Sequence, residues 1–283
     1  MNPPLIGIPR TLALLKQCWN AAELRVCESV SQHFHAHDEV FITRLLHGKL
    51  HEEFEKKNSS KQFETELRGD LTEAFQKDGV GRDEIQRVAT GVVARVTYHE
   101  PHVERKSGGD LGLMVCRPQV SRHIIRQYLS CRLHRQGLLC QGKREHRDGS
   151  LGELTKNQRK VLPDRLSYCS FLFYTYANES RTTLNPFLWR LCRRLDLRRM
   201  EAILADGDLR GTRKSAWILD GLAAGNIGTD DPEIISETIC PVTMPCVVVK
   251  ITWPGDRPPG LPQHLFSYQH RVSTKKECVF AQR

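Results

Sequence analysis

Gly137-Leu138-Leu139-Cys140-Gln141-Gly142-Lys143-Arg144 is an apolar run that leads straight into a polar pair, the pattern of a buried strand emerging at a site. Residues i and i+2 of a strand share a face, so the Gln141 amide and the Lys143 ammonium are expected to enter one cleft together. Upstream, Ser107-Gly108-Gly109-Asp110 opens onto Leu111-Gly112-Leu113-Met114-Val115, which puts a carboxylate at the mouth of a second apolar strand. Two such mouths side by side would gather Asp110, Gln141 and Lys143. Oxygen donors with a cation beside them suit Mg²⁺, which takes oxygen ligands and keeps several waters.

Asp110 followed by Gln141-Gly142-Lys143 on the next apolar run resembles the Asp…(Glu/Asp/Gln)-x-Lys signature of the PD-(D/E)XK, restriction-endonuclease-like nucleases. The Gln-x-Lys form preceded by Gly-Gly-Asp-Leu-Gly is closest to the Mrr-like branch. The resemblance runs from Phe63 to Tyr176. Gly109 replaces the proline of the usual Pro-Asp prefix, and Gln141 replaces the acidic residue of the wider superfamily. The resemblance implies an α/β fold with a restriction-endonuclease-like αβββαβ core and hydrolysis of DNA phosphodiester bonds with Mg²⁺ or Mn²⁺, in a defence or restriction setting. It implies Asp110 as a direct metal ligand, the Gln141 side-chain oxygen and the Gly142 carbonyl as neutral ligands, and Glu64, on an early helix, as holder of a metal-bound water. Lys143 would position or help deprotonate the attacking water and offset charge developing on the phosphorane. A glutamine on the helix before the fourth strand is often near such a site, which points to Gln158, although a helix-surface position is the expectation for it. The alternative is a non-catalytic nucleic-acid-binding or assembly protein that keeps the nuclease fold.

Three other triplets, Gln158-Arg159-Lys160, Glu104-Arg105-Lys106 and Glu55-Lys56-Lys57, match the bare signature. They lie among charged residues, and solvated surface is the expectation for them. Forty-two basic against thirty-three acidic residues leave a net charge of +9, which favours a polyanionic partner, here duplex DNA. A homodimer is expected because cutting two strands needs two sites. With 39% hydrophobic and 27% charged residues in 283, the chain can bury a real core, which excludes wholesale disorder. Ten cysteines form no Cys-x-x-Cys pair and several sit in apolar runs, so free thiols in a reducing, cytoplasmic setting are expected. No apolar run approaches membrane-spanning length and no signal-like start is evident, so no membrane partner is expected.

Three segments are expected: a helical region over 1–58, the nuclease-like core over 59–180 and a mixed extension with a basic helix over 181–283. Leu15, Trp19, Ala22, Val26 and Val30 recur at helical spacing, and Asp38 can cap a second helix. The run His33-Phe34-His35-Ala36-His37, with His47 and His51, lacks a His-Glu-x-x-His pattern and is read as surface. Ser59 with Gln62 predicts a capping box for a helix on which Phe63, Leu67 and Leu71 are apolar and Glu64 is marginal. Val92–Tyr98 and Leu111–Cys116 predict strands, and Ser167–Tyr176 a fourth one after a helix begun by Thr155. Between Cys116 and Gly137 the residues Ile124, Ile125, Tyr128, Leu129 and Leu133 predict a helical insertion whose Arg122, Arg126, Arg132 and Arg135 face either nucleic acid or solvent. Asn185-Pro186 predicts a helix start, and on that helix Arg190, Arg193, Arg194 and Arg198 would form either a phosphate-contacting ridge or a solvated face. The tail after Cys240 reads as β-like and then proline-rich, at Pro254, Pro258, Pro259 and Pro262.

Overall fold

A computed structural model describes residues 7–30, 38–77, 91–123, 128–176, 187–193, 195–241 and 246–252. Its helices are α1 (Pro9–Val30), α2 (Glu39–Ser59), α3 (Gln62–Lys77), α4 (Pro101–Ser107), α5 (Lys156–Val161), α6 (Leu197–Ala205), α7 (Trp217–Ala224) and the one-turn α8 (Pro232–Ile234). The strands are β1 (Gly91–Tyr98), β2 (Leu111–His123), β3 (Tyr128–Arg144), β4 (Cys169–Tyr174), β5 (Leu188–Leu191), β6 (Arg213–Lys214) and β7 (Cys246–Thr252). The protein is therefore mixed α/β, built on one sheet in the order β6-β5-β4-β3-β2-β1-β7. All neighbours pair antiparallel except β3 and β4. That parallel pair needs a crossover, which α5 and the 3₁₀ turn Leu162–Tyr168 supply.

Alternation along the central strands fills two layers. Leu111, Leu113, Val115, Leu138, Cys140, Leu172 and Tyr174 join α1, α2, α3 and α7 in one core. Met114, Cys116, Leu139, Phe171 and Phe173 join the 3₁₀ turn Leu162–Tyr168, α6 and the turn Ile235–Ile239 in the other. Because both faces of β4 are covered, all six of its residues are buried, and the strand reads as a continuous apolar run. The core on the α1–α3 side spans residues from Ile8 to Ile227, so the N-terminal helices and α7 pack with the central strands. Asp70 of α3 ties the helices together by accepting from the Arg10 and Thr11 amides at 3.0 and 2.9 Å, which satisfies two donors that a helix start leaves open. The described cysteines are free thiols, six of the seven buried.

Two predicted elements take a different form. The expected insertion between Cys116 and Gly137 is instead the far end of a long β2–β3 hairpin, paired from Leu111↔Cys140 out to His123↔Tyr128. The apolar residues there are mostly β-branched, aromatic or leucine, and once the strands were in register the ladder satisfied backbone groups that helical spacing had seemed to claim. Residues 124–127, with Ile124, Ile125 and Arg126 of that expectation, lie outside the described residues. The capping box at Ser59 also fails, since Ser59 is the last residue of α2 and Lys61 takes a positive φ of 57° before α3 begins.

Candidate active site

Register sets the first part of the site. Leu111 pairs with Cys140, so Asp110 stands next to Gln141 across the antiparallel pair. The Asp110 backbone is fixed from both sides: its N–H donates to the Cys140 carbonyl at 2.9 Å, and its carbonyl accepts from the His99 N–H at 2.8 Å. Gly108, with φ of 78°, ends α4 in the left-handed conformation, which lets the chain reverse into β2 at little steric cost. Asp110, Gln141 and Lys143 lie on the sheet face that α5 covers. They are 4%, 0% and 0% exposed.

Around the carboxylate the bonds are short. Asp110 Oδ2 accepts from Gln141 Nε2 at 2.6 Å and from the Gly142 N–H at 2.7 Å. The same Gln141 amide reaches the Gly142 carbonyl at 3.3 Å, so its NH₂ group lies between the two oxygens expected to share a cation. Gln141 Oε1 is buried with no hydrogen-bond partner. Gly142 has no room for a side chain, because a Cβ there would stand 2.8 Å from Thr43 Oγ1 and 3.1 Å from the Tyr174 hydroxyl, two groups already bonded at 2.7 Å. Burial pushes the Asp110 carboxyl well above the usual carboxylate range, and Glu39 and Glu104 push it further. Lys143 and the Gly142 N–H act in the opposite direction.

Lys143 organises the rest. Its Nζ donates to the Glu153 carbonyl at 2.9 Å, to Glu39 Oε1 at 3.3 Å and to Gln158 Oε1 at 3.4 Å. Gln158 closes a capping box with Thr155 and donates from Nε2 to Glu104 Oε1 at 3.2 Å. It is 1% exposed, not on the helix surface as expected, because the lysine and the α4 glutamate both need its amide. Glu104 titrates above the usual range, first through burial and then through Glu39, while the Gln158 bond opposes the shift.

The structure therefore brings together Asp110, Gln141, Gly142 and Lys143, and adds Glu39, Glu104 and Gln158. It does not bring in Glu64. Phe63, Leu67 and Leu71 of α3 are buried at 0–1% exposure, so Glu64, about 100° further round the helix, meets Arg68 instead at 2.6 Å. The carboxylates acting on Asp110 come from the start of α2 and from α4. Glu39, 104 residues from Lys143, left a single local signal in the cap at Asp38, which accepts from the Phe41 N–H at 2.7 Å. Glu104 belonged to a triplet that looked like solvated surface.

The arginine ridge is not formed as expected. Arg190 lies in β5, paired with Phe171, and its guanidinium contacts the Asp208 carbonyl at 3.3 Å. Arg193 follows the strand and reaches the Asn226 carbonyl. Arg198 is exposed on α6, which begins only at Leu197 under an Asp196 cap. Pairing of Leu188–Leu191 with buried β4 overrides the Asn185-Pro186 signal. Arg194, Asn185 and Pro186 lie outside the described residues, as do His33–His37 and Pro254–Pro262.

For a hard cation the available donors are the Asp110 carboxylate, the Gly142 carbonyl and the orphaned Gln141 oxygen. A half-turn of the Gln141 amide would exchange its NH₂ for Oε1 beside Asp110, an arrangement that needs either a proton on Asp110 or a cation between the oxygens. The oxygens therefore fit such an ion with one negative charge among them. Among the described residues no three His, Cys, Asp or Glu side chains form a metal cluster, and no helix is long and apolar enough to cross a membrane. Comparison with protein-family models, curated proteins and solved structures gives no match to this chain.

Proposed function

We propose that the chain is a Mg²⁺- or Mn²⁺-dependent nuclease acting on DNA. The observation that carries the reading is the convergence of Asp110, Gln141, Gly142 and Lys143 at two adjacent strand mouths, within hydrogen-bond reach of one another or of Glu39 and Gln158. The order α3-β1-β2-β3-α5-β4, with β3 parallel to β4, supports a restriction-endonuclease-like αβββαβ core, and α4 is a short addition between β1 and β2. The net charge of +9 supports a polyanionic substrate, and a homodimer would supply the second site for the second strand.

Asp110, Gln141 Oε1 and the Gly142 carbonyl would hold the cation, which supplies a polarised phosphate and a more acidic water. Glu39 and Glu104 raise the carboxylate's affinity for positive charge from just outside the ligand set. Lys143 already uses its three N–H groups on protein oxygens, but the bonds to Glu39 and Gln158 are long. Exchanging one for a phosphate oxygen would bring an ammonium to the charge that develops as the bond breaks. Gln158 holds the ammonium in place and keeps Glu104 beside it.

A second reading, the non-catalytic nucleic-acid-binding or assembly protein, is favoured by the Gln141 NH₂ group, which bonds both Asp110 Oδ2 and the Gly142 carbonyl and so can hold the strand mouths by itself. Plasmid DNA incubated with the purified protein separates the two. Mg²⁺- or Mn²⁺-dependent nicking that vanishes in Asp110→Asn supports the nuclease, whereas intact binding without nicking supports the second reading.

A further inference from the structure

The cross-strand rows of the site continue to the far edge of the sheet. Lys143 pairs with Phe173, Phe173 with Leu188 and Leu188 with Lys214, so Lys214 stands in the lysine's own row, three strand spacings or about 14 Å away. The adjacent row runs from Gly142 through Leu172 and Trp189 to Arg213. Strand β6 is last in the sheet order, and both of its residues are exposed.

Trp217, which opens α7, is 52% exposed, whereas Trp19 and Trp189 are 0% and 6% exposed. The Arg213 guanidinium carbon lies 5.9 Å from the Trp217 ring centroid, a cation–π distance. Nearby ion pairs hold Arg210 on Asp208 and Lys16 on Asp220, and the Lys214 charge acts on the buried Glu23 carboxyl, but among the described residues Arg213 makes no ion pair. Charges on an edge strand guard against unwanted sheet pairing. That role does not account for an indole left half in water beside a guanidinium that, among the described residues, has no ion-pair partner.

We propose that β6 and the start of α7 form a stacking platform for single-stranded nucleic acid. An unstacked base lies on the Trp217 indole, and Arg213 and Lys214 take the flanking phosphates. The platform is specific for single strands because a base within a duplex already has both faces covered. An open strand offers a free π-face every few ångströms along its charged backbone. DNA and RNA share this chemistry. Binding here does not require the Asp110 site to cleave, so it stands or falls apart from the nuclease reading.

The test uses the full chain and fluorescence-labelled oligothymidylate, oligouridylate and a hairpin duplex, in the absence of divalent metal. Trp217→Ala is expected to weaken binding to the preferred single strand about tenfold and to leave duplex binding within about twofold. Trp217→Phe should retain most of the affinity. Arg213→Ala with Lys214→Ala should lower the log–log salt slope on single strands by about 1.4, at about 0.7 per lost phosphate contact. Thymidylate or uridylate preference identifies the strand type, and either supports the platform. No single-strand binding by the native chain, unchanged affinity in Trp217→Ala, or equal loss on single strand and duplex would overturn it.

Discussion

Gln141→Glu tests the site at its most informative atom. In the native chain the amide donates to Asp110 Oδ2 at 2.6 Å, with both groups almost fully enclosed. A glutamate turns that donor into a second acceptor. Without a metal, one of the two carboxyls must keep its proton, because like charges this close in low dielectric cannot both ionise. The protonated form still donates to its neighbour, so the cost is mainly that of holding a proton which an unfolded glutamate loses near pH 4.3. At about 1.4 kcal/mol per pH unit, holding it to neutrality costs about 4 kcal/mol. The new group's folded pKa lies above its unfolded value. Its contribution is therefore fully present below about pH 4 and shrinks as pH rises through the folded pKa. In a protein of this size the deficit at neutral pH lowers Tm by about 8–15 °C. A divalent cation between the carboxylates removes the conflict, and at about a hundred times its Kd it restores about 2.7 kcal/mol. Thermal melts of the native and variant chains between about pH 5 and 8, in EDTA and in MnCl₂, read both effects. If the gap between the two chains does not change with pH, or if Mn²⁺ stabilises the variant no more than the native chain, the account of this site is wrong.

Other outcomes follow from the same geometry. Lys143→Met should abolish cleavage and also cost about 2–4 kcal/mol, somewhat less than an enclosed ion pair because Glu39 can rehydrate; a shift in denaturation midpoint too small to register would show the ammonium is dispensable to the fold. Because burial raises the Asp110 carboxyl, protons compete with the cation, so Mn²⁺ affinity measured by calorimetry should rise with pH and the Asp110→Asn variant should lose that dependence. Glu23, enclosed against Trp19, is pushed up from 4.5 to about 8. Its neutral form is favoured in the fold, so stability should fall by up to about 1.4 kcal/mol per unit as pH rises from 4.5 towards 8, and a Glu23→Gln chain that keeps the same slope would exclude it. Arg190→Ala should lower Tm with little change in the salt dependence of DNA binding, whereas Arg198→Ala should do the reverse; a common response would mean that both sit in one interface.

Much of the architecture was legible locally. Apolar runs bounded by polar residues gave β2, β3 and β4, because a strand covered on both faces needs little but Leu, Val and Phe along its length. The i, i+2 rule put Gln141 and Lys143 on one face, and the cap signals at Asp38 and Thr155 marked helix starts that the structure retains. Local signals failed where two conformations suited the same residues. Tyr128, Leu129 and Leu133 have both helical spacing and strand-compatible side chains, and a partner strand chose between them. Asn185-Pro186 likewise yielded to β5, whose pairing with β4 outweighs a helix-start preference.

The sequence by itself determined the mixed α/β class, the shared face of Gln141 and Lys143, and a basic chain, since these depend on composition and on steps of one or two residues; the strand register that sets Asp110 beside Gln141 came from the fold. Only the tertiary structure decided which carboxylates surround Asp110. Glu39 and Glu104 carry no mark that distinguishes them from Glu64 in the chain, because a side chain's field acts through space and falls with distance, whatever the separation in sequence. Folding brought the first turn of α2 and the short helix α4 to the strand mouths and turned Glu64 toward Arg68. The same packing enclosed Lys143 and Gln158 and left Trp217 at the sheet edge, where burial and exposure are properties of the assembled layers.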